Sequence, residues 1–289
     1  MIPESKNTAA LGILMMLGAV ACLAAMNMFV KLVGPDYSPF QAVFFRNGLA
    51  ALMVIPLVLR VGGMAAFKTR RPGGHAIRSL TGVLGNASFF TAYALIPLSD
   101  GMSIAMAVPI FTALFAIPIL GEKIGAHRWA AIFVGFIGVV IALKPTGDFQ
   151  IGSLFALSGT IFWALTLVLI RSLSTTESPY TIVFYYMISG FVISLFILPW
   201  VWVTPTPEAL VFYLGAGVVG GFGQIFMTYA MKLAPASVVT PFEYTAICWA
   251  LAFDLVIWEV LPSSATLTGG GVVILTGLYI WRRETRTGR

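Results

Sequence analysis

The stretch Gly82-Val-Leu-Gly-Asn-Ala-Ser-Phe-Phe-Thr-Ala-Tyr-Ala94 returns, with one inserted residue, as Gly217-Val-Val-Gly-Gly-Phe-Gly-Gln-Ile-Phe-Met-Thr-Tyr-Ala230. Similar residues also recur elsewhere along the chain, most of them at an offset of 140 residues. The further pairs are Lys31 with Arg171, Ser38-Pro39 with Ser178-Pro179, and Phe44-Phe45 with Phe184-Tyr185, and Glu122 and Glu259 follow at an offset of 137. Such internal repetition predicts two copies of one structural unit.

The composition excludes a water-soluble enzyme. Of the 289 residues, 59% are hydrophobic and 10% charged, against roughly 45–50% and about 25% in an average soluble domain. Cys22 and Cys248 both lie in apolar runs and are interpreted as small core residues. We therefore predict an all-α integral membrane protein whose main surroundings are the lipid bilayer.

Apolar runs between polar breaks predict ten transmembrane helices, since about 20 apolar residues are needed to cross a bilayer. The predicted spans are Ala9 to Val33, Ser38 to Arg60, His75 to Pro97, Gly101 to Leu120, Arg128 to Lys144, Ile151 to Arg171, Pro179 to Trp202, Glu208 to Met231, Ala236 to Trp258, and Thr266 to Arg283.

The distribution of basic residues predicts the orientation, because short cytoplasmic loops are enriched in Lys and Arg. With both termini in the cytoplasm, 14 of the 17 basic residues fall on the cytoplasmic side, Arg78 among them. Lys31 and Lys144 fall on the outer side, and Arg46 lies within a span. The net charge of +6 is thereby explained by membrane topology, so no nucleic-acid partner is predicted.

An odd number of helices in each copy inverts the second copy relative to the first. We predict a five-plus-five inverted repeat, with residues 9–144 as the first unit and 151–283 as the second. Inverted repeats related by an axis in the membrane plane are typical of alternating-access transporters, which share a site near the midplane.

Two motifs extend this interpretation to a family. They are Gly121-Glu122 followed by a helix containing Trp129, and the segment Ala234-Pro-Ala-Ser-Val-Val-Thr-Pro-Phe-Glu-Tyr-Thr-Ala246. Together with the repeat, they resemble the EamA-type members of the drug/metabolite transporter superfamily, from about Ala9 to Trp281. Within it the chain resembles bacterial exporters of aromatic and neutral amino acids of the YddG type. The resemblance implies export of small amino-acid-like metabolites across the cytoplasmic (inner) membrane.

Charged residues inside the hydrocarbon are candidate site residues because they are costly to insert. Glu243, in span nine, could attract a substrate ammonium group, carry a proton, or tie helices together. Arg46, in span two, could hold a carboxylate with two parallel hydrogen bonds, or form a structural ion pair, or reach the outer interface. Lys31 and Asp254 lie closer to the outer surface, where we expect Lys31 to extend to the interface and Asp254 to lie in a vestibule.

Aromatic side chains predict an apolar pocket. Asn86, Phe90 and Tyr93 share one helix face, Phe226 and Tyr229 repeat part of this spacing, and Trp163 lies in mid-span. Facing inward, they could stack on aromatic or large aliphatic substrates; ordinary helix packing is the alternative.

Pro109 and Pro241 lie inside spans four and nine, where each frees a backbone carbonyl, at Ala105 and Ser237 respectively. In lipid such breaks are tolerated where they line a cavity, so both are predicted as kinks that face the transport pathway.

No catalytic, metal-binding or ATP-binding motif is found. We predict a non-enzymatic secondary transporter without metal or cofactor, most consistent with export of neutral or aromatic amino acids. The alternative is an exporter of other amphiphilic metabolites or drugs, which could be proton-coupled. The oligomeric state is left open, and a monomer is compatible with this architecture.

Overall fold

The computed structural model describes residues 6–121, 150–233 and 240–261, with single positions between 129 and 137 and between 264 and 279. Over these residues the chain is helical and contains no strand. The helices are α1 (Lys6–Val33), α2 (Pro39–Gly62), α3 (Pro72–Leu95), α4 (Leu98–Ala105), α5 (Val108–Leu120), α6 (Ile151–Ser174), α7 (Pro179–Val201), α8 (Pro207–Leu233) and α9 (Ala246–Ile257). Two 3-10 segments lie at Gly63–Phe67 and Thr240–Thr245.

Within the described residues, six helical stretches are long and apolar enough to cross a membrane. They are Ala10–Val33, Pro39–Arg60, Leu98–Leu120, Ile151–Ser174, Tyr180–Val201 and Pro207–Ala230. The predicted spans five and ten, together with Glu122, Lys144 and Ser237, lie wholly or largely outside the described residues. The number of ten spans and the location of the termini therefore stay predictions.

The repeated Ser-Pro pairs begin helices in the same way. Ser38 precedes α2, and its hydroxyl accepts the N–H of Phe40 at 3.3 Å. Ser178 precedes α7, and its hydroxyl accepts the N–H of Thr181 at 3.2 Å. A serine cap followed by proline at the first helical position is a favourable helix start. Positions 140 residues apart thus have the same local structure.

Helix pairing follows the same symmetry. The most extensive pairs are α1 with α8 and α3 with α6, while α2 packs on α7. In the predicted repeat, α1, α2 and α3 correspond to α6, α7 and α8. Exchanging the corresponding helices converts the α1–α8 pair into the α3–α6 pair, and the reverse. The α2–α7 pair is converted into itself. This is the pattern expected of two inverted copies around an axis that passes between α2 and α7.

Two groups of loop contacts define the ends of the bundle. At the end we call outer, the hydroxyl of Tyr37 accepts the N–H of Thr206 at 3.2 Å. There the amide of Gln41 also donates to the carbonyl of Val203 at 2.7 Å and accepts its N–H at 3.2 Å. These contacts join the loop before α2 to the loop before α8.

At the opposite end, which we call inner, Glu177 accepts hydrogen bonds from the Thr69 hydroxyl and the Arg70 N–H, both at 2.9 Å. Arg71 donates to the carbonyl of Ser172 at 2.8 Å. Slight burial would raise the pKa of the Glu177 carboxyl, but these hydrogen bonds offset it, and the pKa lies below its usual value. The segment before α3 is thereby joined to the loop before α7.

Spans four and nine are not continuous helices. The fourth is divided into α4, which ends at Ala105, and α5, which begins at Val108 with Pro109 in its first turn. The ninth begins with the 3-10 segment that contains Pro241 and Glu243, and becomes α-helical only at Ala246. Each irregular segment follows from a proline, which cannot donate a backbone hydrogen bond.

Glycines on α8 allow close helix approach. A Cβ atom on Gly217 would lie 2.6 Å from Leu49 Cβ on α2, and one on Gly220 would lie 2.8 Å from Met26 Sδ on α1. A larger residue at Gly217 would require the neighbouring helix to shift, and one at Gly220 would displace the Met26 side chain. Small residues of this kind give membrane helices their packing contacts.

Asp254 anchors the start of α4, and the prediction of a vestibule acid is wrong. Its side chain is fully buried, and its carboxylate accepts the N–H groups of Leu98 and Ser99 at 3.1 and 2.6 Å. Lys31 lies 3.6 Å from the same carboxylate and donates to the carbonyl of Ile96 at 3.0 Å. Lys31 therefore does not extend to the outer interface; the pair fastens α1 and α9 to the first turn of α4.

Replacing Asp254 by alanine is expected to destabilise the fold, because Lys31 and two backbone N–H groups of α4 lose their partner. The expected loss is about 3 kcal/mol, the scale for removing one member of a buried ion pair. Thermal unfolding of the purified protein in detergent measures it. Asp36→Ala, at an exposed acid near the same end, should change stability by less than about 0.5 kcal/mol. Equal melting temperatures for the two variants would contradict the anchoring role.

Candidate functional site

A cavity of about 130 Å³ lies between α1, α2, α3, α6, α8 and the two irregular segments. Its wall contains apolar, aromatic and amide side chains and two charged ones. The lining residues are Val20, Leu23, Ala24, Met26, Asn27, Arg46, Asn86, Phe89, Tyr93, Met102, Ala105, Met106, Val108, Trp163, Gln224, Met227, Glu243, Tyr244 and Ala246. Such a mixed lining is typical of small-molecule sites.

Arg46 is the cationic group of the cavity wall. Its side chain is 1% exposed, and its Nη1 donates to the Tyr186 hydroxyl at 2.8 Å and to the Asn47 carbonyl oxygen at 3.3 Å. Its Nε has no hydrogen-bond partner. Among the described residues no carboxylate forms a salt bridge with it. The guanidinium is thus held by neutral groups, with one donor unused.

Glu243 is the anionic candidate in the same wall. The residue is half-buried, but its Oε1 atom is buried and lacks a hydrogen-bond partner. It lies in the 3-10 segment Thr240–Thr245 rather than in a regular helix turn. A carboxyl in this position could either bind a cationic group of a substrate or take up a proton.

The predicted aromatic pocket is only partly assembled. Trp163, Asn86 and Tyr93 line the cavity, together with Phe89, which stacks on Tyr93 with ring centroids 5.8 Å apart. Phe89 was not among the predicted site residues. It lies three residues after Asn86 and four before Tyr93. This spacing places it on the same helix face, so the sequence could have predicted it.

The other three predicted aromatics lie elsewhere. Phe90 is 2% exposed and belongs to the apolar core. Phe226 packs against α1, where a Cβ on Gly18 would lie 3.3 Å from its ring. The Tyr229 hydroxyl pairs with that of Tyr180 beside a separate, narrow crevice. Helix spacing alone did not distinguish these positions from cavity-lining ones.

Both irregular segments border the cavity. Ala105, Met106 and Val108 contribute from the break between α4 and α5, and Glu243, Tyr244 and Ala246 from the start of span nine. Interrupted helices at membrane depth occur where the backbone is buried in protein or lines a cavity. The irregular segments that contain Pro109 and Pro241 thus border the cavity, and the role of these prolines in the pathway stays a prediction.

Tyr186 and Arg78 were missed by the sequence argument. The Tyr186 side chain is fully buried, and its hydroxyl accepts hydrogen bonds from Arg46 and from the Asn86 amide. Arg78 is 1% exposed on α3, with its guanidinium carbon 3.7 Å from the centre of the Tyr186 ring. Arg78 was counted from the sequence only as a charge of the cytoplasmic side and was not considered as a site residue, whereas it is buried on α3.

The repeat itself contained the signal for Tyr186. The offset of 140 that relates Phe44-Phe45 to Phe184-Tyr185 also relates Arg46 to Tyr186. Two positions exchanged by a two-fold axis can touch each other only near that axis. Their 2.8 Å hydrogen bond therefore locates the axis of the predicted repeat at the edge of the cavity.

Comparison with known proteins identifies the family. The EamA-like transporter family matches residues 10–144 and again residues 150–282. An S-adenosylmethionine uptake transporter of Rickettsia prowazekii (strain Madrid E) is 29% identical over 90% of this chain and 89% of its own length. A riboflavin transporter of Vibrio cholerae is 26% identical over 96% and 95% of the two chains. A pseudopaline exporter of Pseudomonas aeruginosa is 28% identical over 94% and 96%.

A solved crystal structure shares the fold. It aligns with a TM-score of 0.67 over 96% of this chain and 99% of that chain, at 18% sequence identity. At this identity the likeness concerns the fold alone.

Proposed function

This chain belongs to the EamA-like transporter family, and on that premise we propose that it transports small metabolites joining an α-amino-acid head to an apolar or aromatic body. It is accordingly a multi-pass membrane transporter. Neutral and aromatic amino acids, exported across the cytoplasmic (inner) membrane, are the substrates we propose first. Transport proceeds by alternating access, with the two predicted five-helix units moving around the cavity near their common axis.

The observation that carries this proposal is the presence of Arg46 and Glu243 in the wall of one cavity. A guanidinium can bind a carboxylate with two parallel hydrogen bonds, and a carboxylate can bind an ammonium group. Each has an unused polar atom, Nε on Arg46 and Oε1 on Glu243. A zwitterionic head group would supply a partner for both.

The rest of the wall suits the side chain of such a substrate. Trp163, Tyr93 and Phe89 offer aromatic surfaces, and Met26, Met102, Met106 and Met227 offer adaptable apolar ones. The wall thus offers aromatic and apolar surface to the body of the substrate.

The relatives support a broader substrate range. Their names include S-adenosylmethionine and riboflavin, and S-adenosylmethionine joins an amino-acid head to an aromatic base. The names of the relatives also include both uptake and export and so do not decide the direction. The proposal of export is based on the sequence resemblance to amino-acid exporters.

Counterflow in proteoliposomes tests the proposal. Vesicles preloaded with unlabelled tryptophan should accumulate labelled tryptophan transiently, and the same assay with alanine, S-adenosylmethionine and riboflavin ranks the substrates. Uptake of riboflavin alone, or of none of the four, would contradict the amino-acid head group as the recognised feature.

Trp163→Ala is expected to impair large substrates more than small ones, because stacking surface is lost and cavity volume is gained. A loss of about tenfold in kcat/KM for tryptophan, against less than about threefold for alanine, corresponds to roughly 1.4 kcal/mol of stacking. Trp200→Ala serves as the control, since that side chain is 81% exposed on α7. Equal losses for both substrates would indicate a structural role for Trp163.

Proton coupling is a second candidate function, and the buried, unpartnered Oε1 of Glu243 favours it. If Glu243 carries the proton, Glu243→Gln should abolish accumulation driven by a pH gradient while substrate exchange continues. Glu208→Gln, at an exposed acid in the first turn of α8, should leave both unchanged. Absence of pH-driven accumulation by the unmodified protein would exclude this function.

A further inference from the structure

Arg78 is a buried cation that the cavity does not use. It lies on α3 eight residues before Asn86, which is about 12 Å along the helix at 1.5 Å per residue, toward the inner end. Its side chain is 1% exposed, and its Nε and Nη1 atoms have no hydrogen-bond partner. Arg78 does not line the cavity that contains Arg46 and Asn86.

The Tyr186 side chain contacts both arginines. Its hydroxyl accepts hydrogen bonds from Arg46 and Asn86, both of which line the cavity. Its ring lies 3.7 Å from the Arg78 guanidinium carbon, whereas the Arg46 guanidinium carbon lies 5.5 Å from the ring centre. Arg78 therefore lies next to a residue that binds the cavity wall, without lining the cavity itself.

Gly82 makes this arrangement possible. A Cβ atom at that position would lie 2.7 Å from the Tyr186 ring and 3.2 Å from Arg78 Nη1. The ring and the guanidinium are therefore packed against the α3 backbone. The Tyr186 ring thus covers part of the Arg78 guanidinium in this position.

None of the described carboxylates neutralises Arg78. Glu177 is bound to Thr69 and Arg70, and Asp254 is bound to Lys31 and the start of α4. Glu243 lies in the wall of the cavity, which does not include Arg78. A buried guanidinium offers five donors, and unpaired buried donors are costly. The cation–π contact with the Tyr186 ring stabilises the charge of Arg78 only in part.

We propose that Arg78 is a second anion-binding residue, which receives the carboxylate of the substrate when the inner end of the transporter is open. This assignment rests on the proposed function, according to which the substrate carries a carboxylate. In export, displacement of the Tyr186 ring exposes Arg78 to the carboxylate at the inner end, and Arg46 then binds that carboxylate in the cavity.

Transport kinetics from each face test this assignment. Trypsin cleavage at the exposed Lys68 and Arg70 identifies vesicles whose inner end faces the medium. With labelled tryptophan, Arg78→Gln should raise the KM at the inner face by at least about tenfold, the loss of one good ionic contact. The KM at the outer face should change by less than about threefold. Arg78→Lys, which keeps the charge, should give an intermediate KM.

Two controls separate binding from structure. Tryptophanamide lacks the carboxylate, so its transport should be the same in Arg78→Gln and in the unmodified protein. Arg70→Gln alters an exposed side chain near the same end and should change neither KM. Equal losses at both faces, or equal losses for tryptophan and tryptophanamide, would overturn the assignment.

A labelling experiment decides the location of Arg78 without a transport substrate. In a Cys22→Ala, Cys248→Ala background, the thiol introduced by Arg78→Cys should react with a membrane-impermeant maleimide applied at the inner face. Absence of labelling would overturn the proposal, as would labelling together with an unchanged KM in Arg78→Gln. If the protein transports no tryptophan, the proposed substrate fails, while labelling still shows whether Arg78 lies on the pathway.

Discussion

A guanidinium inside a membrane protein needs hydrogen-bond partners from the protein, and Arg46 finds its main partner in the hydroxyl of Tyr186. This contact joins α2 to α7, the helices that pair across the predicted axis. It also fixes Arg46 in the cavity wall while leaving its Nε unpaired. The hydrogen bond thus lies where the cavity, the α2–α7 pair and the charge of the site meet. Charged groups inside the hydrocarbon are tolerated only in such protected positions.

The same requirement explains the irregular segments. Backbone groups freed near Pro109 and Pro241 cannot be left facing lipid, and both segments border the cavity. At the outer end, Asp254 accepts the first N–H groups of α4, so the helix before the break is held in place. The outer and inner loop contacts, at Tyr37–Thr206 and Thr69–Glu177, join corresponding pairs of connections in the two predicted units.

Much of the architecture could be predicted from the sequence because it depends on periodic and compositional features. The apolar runs indicated the helices, the repeat indicated the pairing, and deep charges indicated Arg46 and Glu243. Side-chain partners could not be predicted in the same way. Lys31 and Asp254 meet only because two distant helices converge, and Phe90 and Phe226 face neighbouring helices rather than the cavity. Arg78 was overlooked as a buried residue because a basic residue near the end of a predicted span can equally be a topology signal at the membrane surface.

The central claim is that one cavity recognises a zwitterionic head group through Arg46 and Glu243. Titration calorimetry with tryptophan, tryptophanamide and indole-3-propionate measures this directly, since the two analogues lack the carboxylate and the ammonium group respectively. The unmodified protein should bind tryptophan at least about tenfold more tightly than either analogue, a difference of about 1.4 kcal/mol. Arg46→Gln should lose the preference over tryptophanamide only, and Glu243→Gln the preference over indole-3-propionate only. Unchanged preferences in both variants would contradict the account.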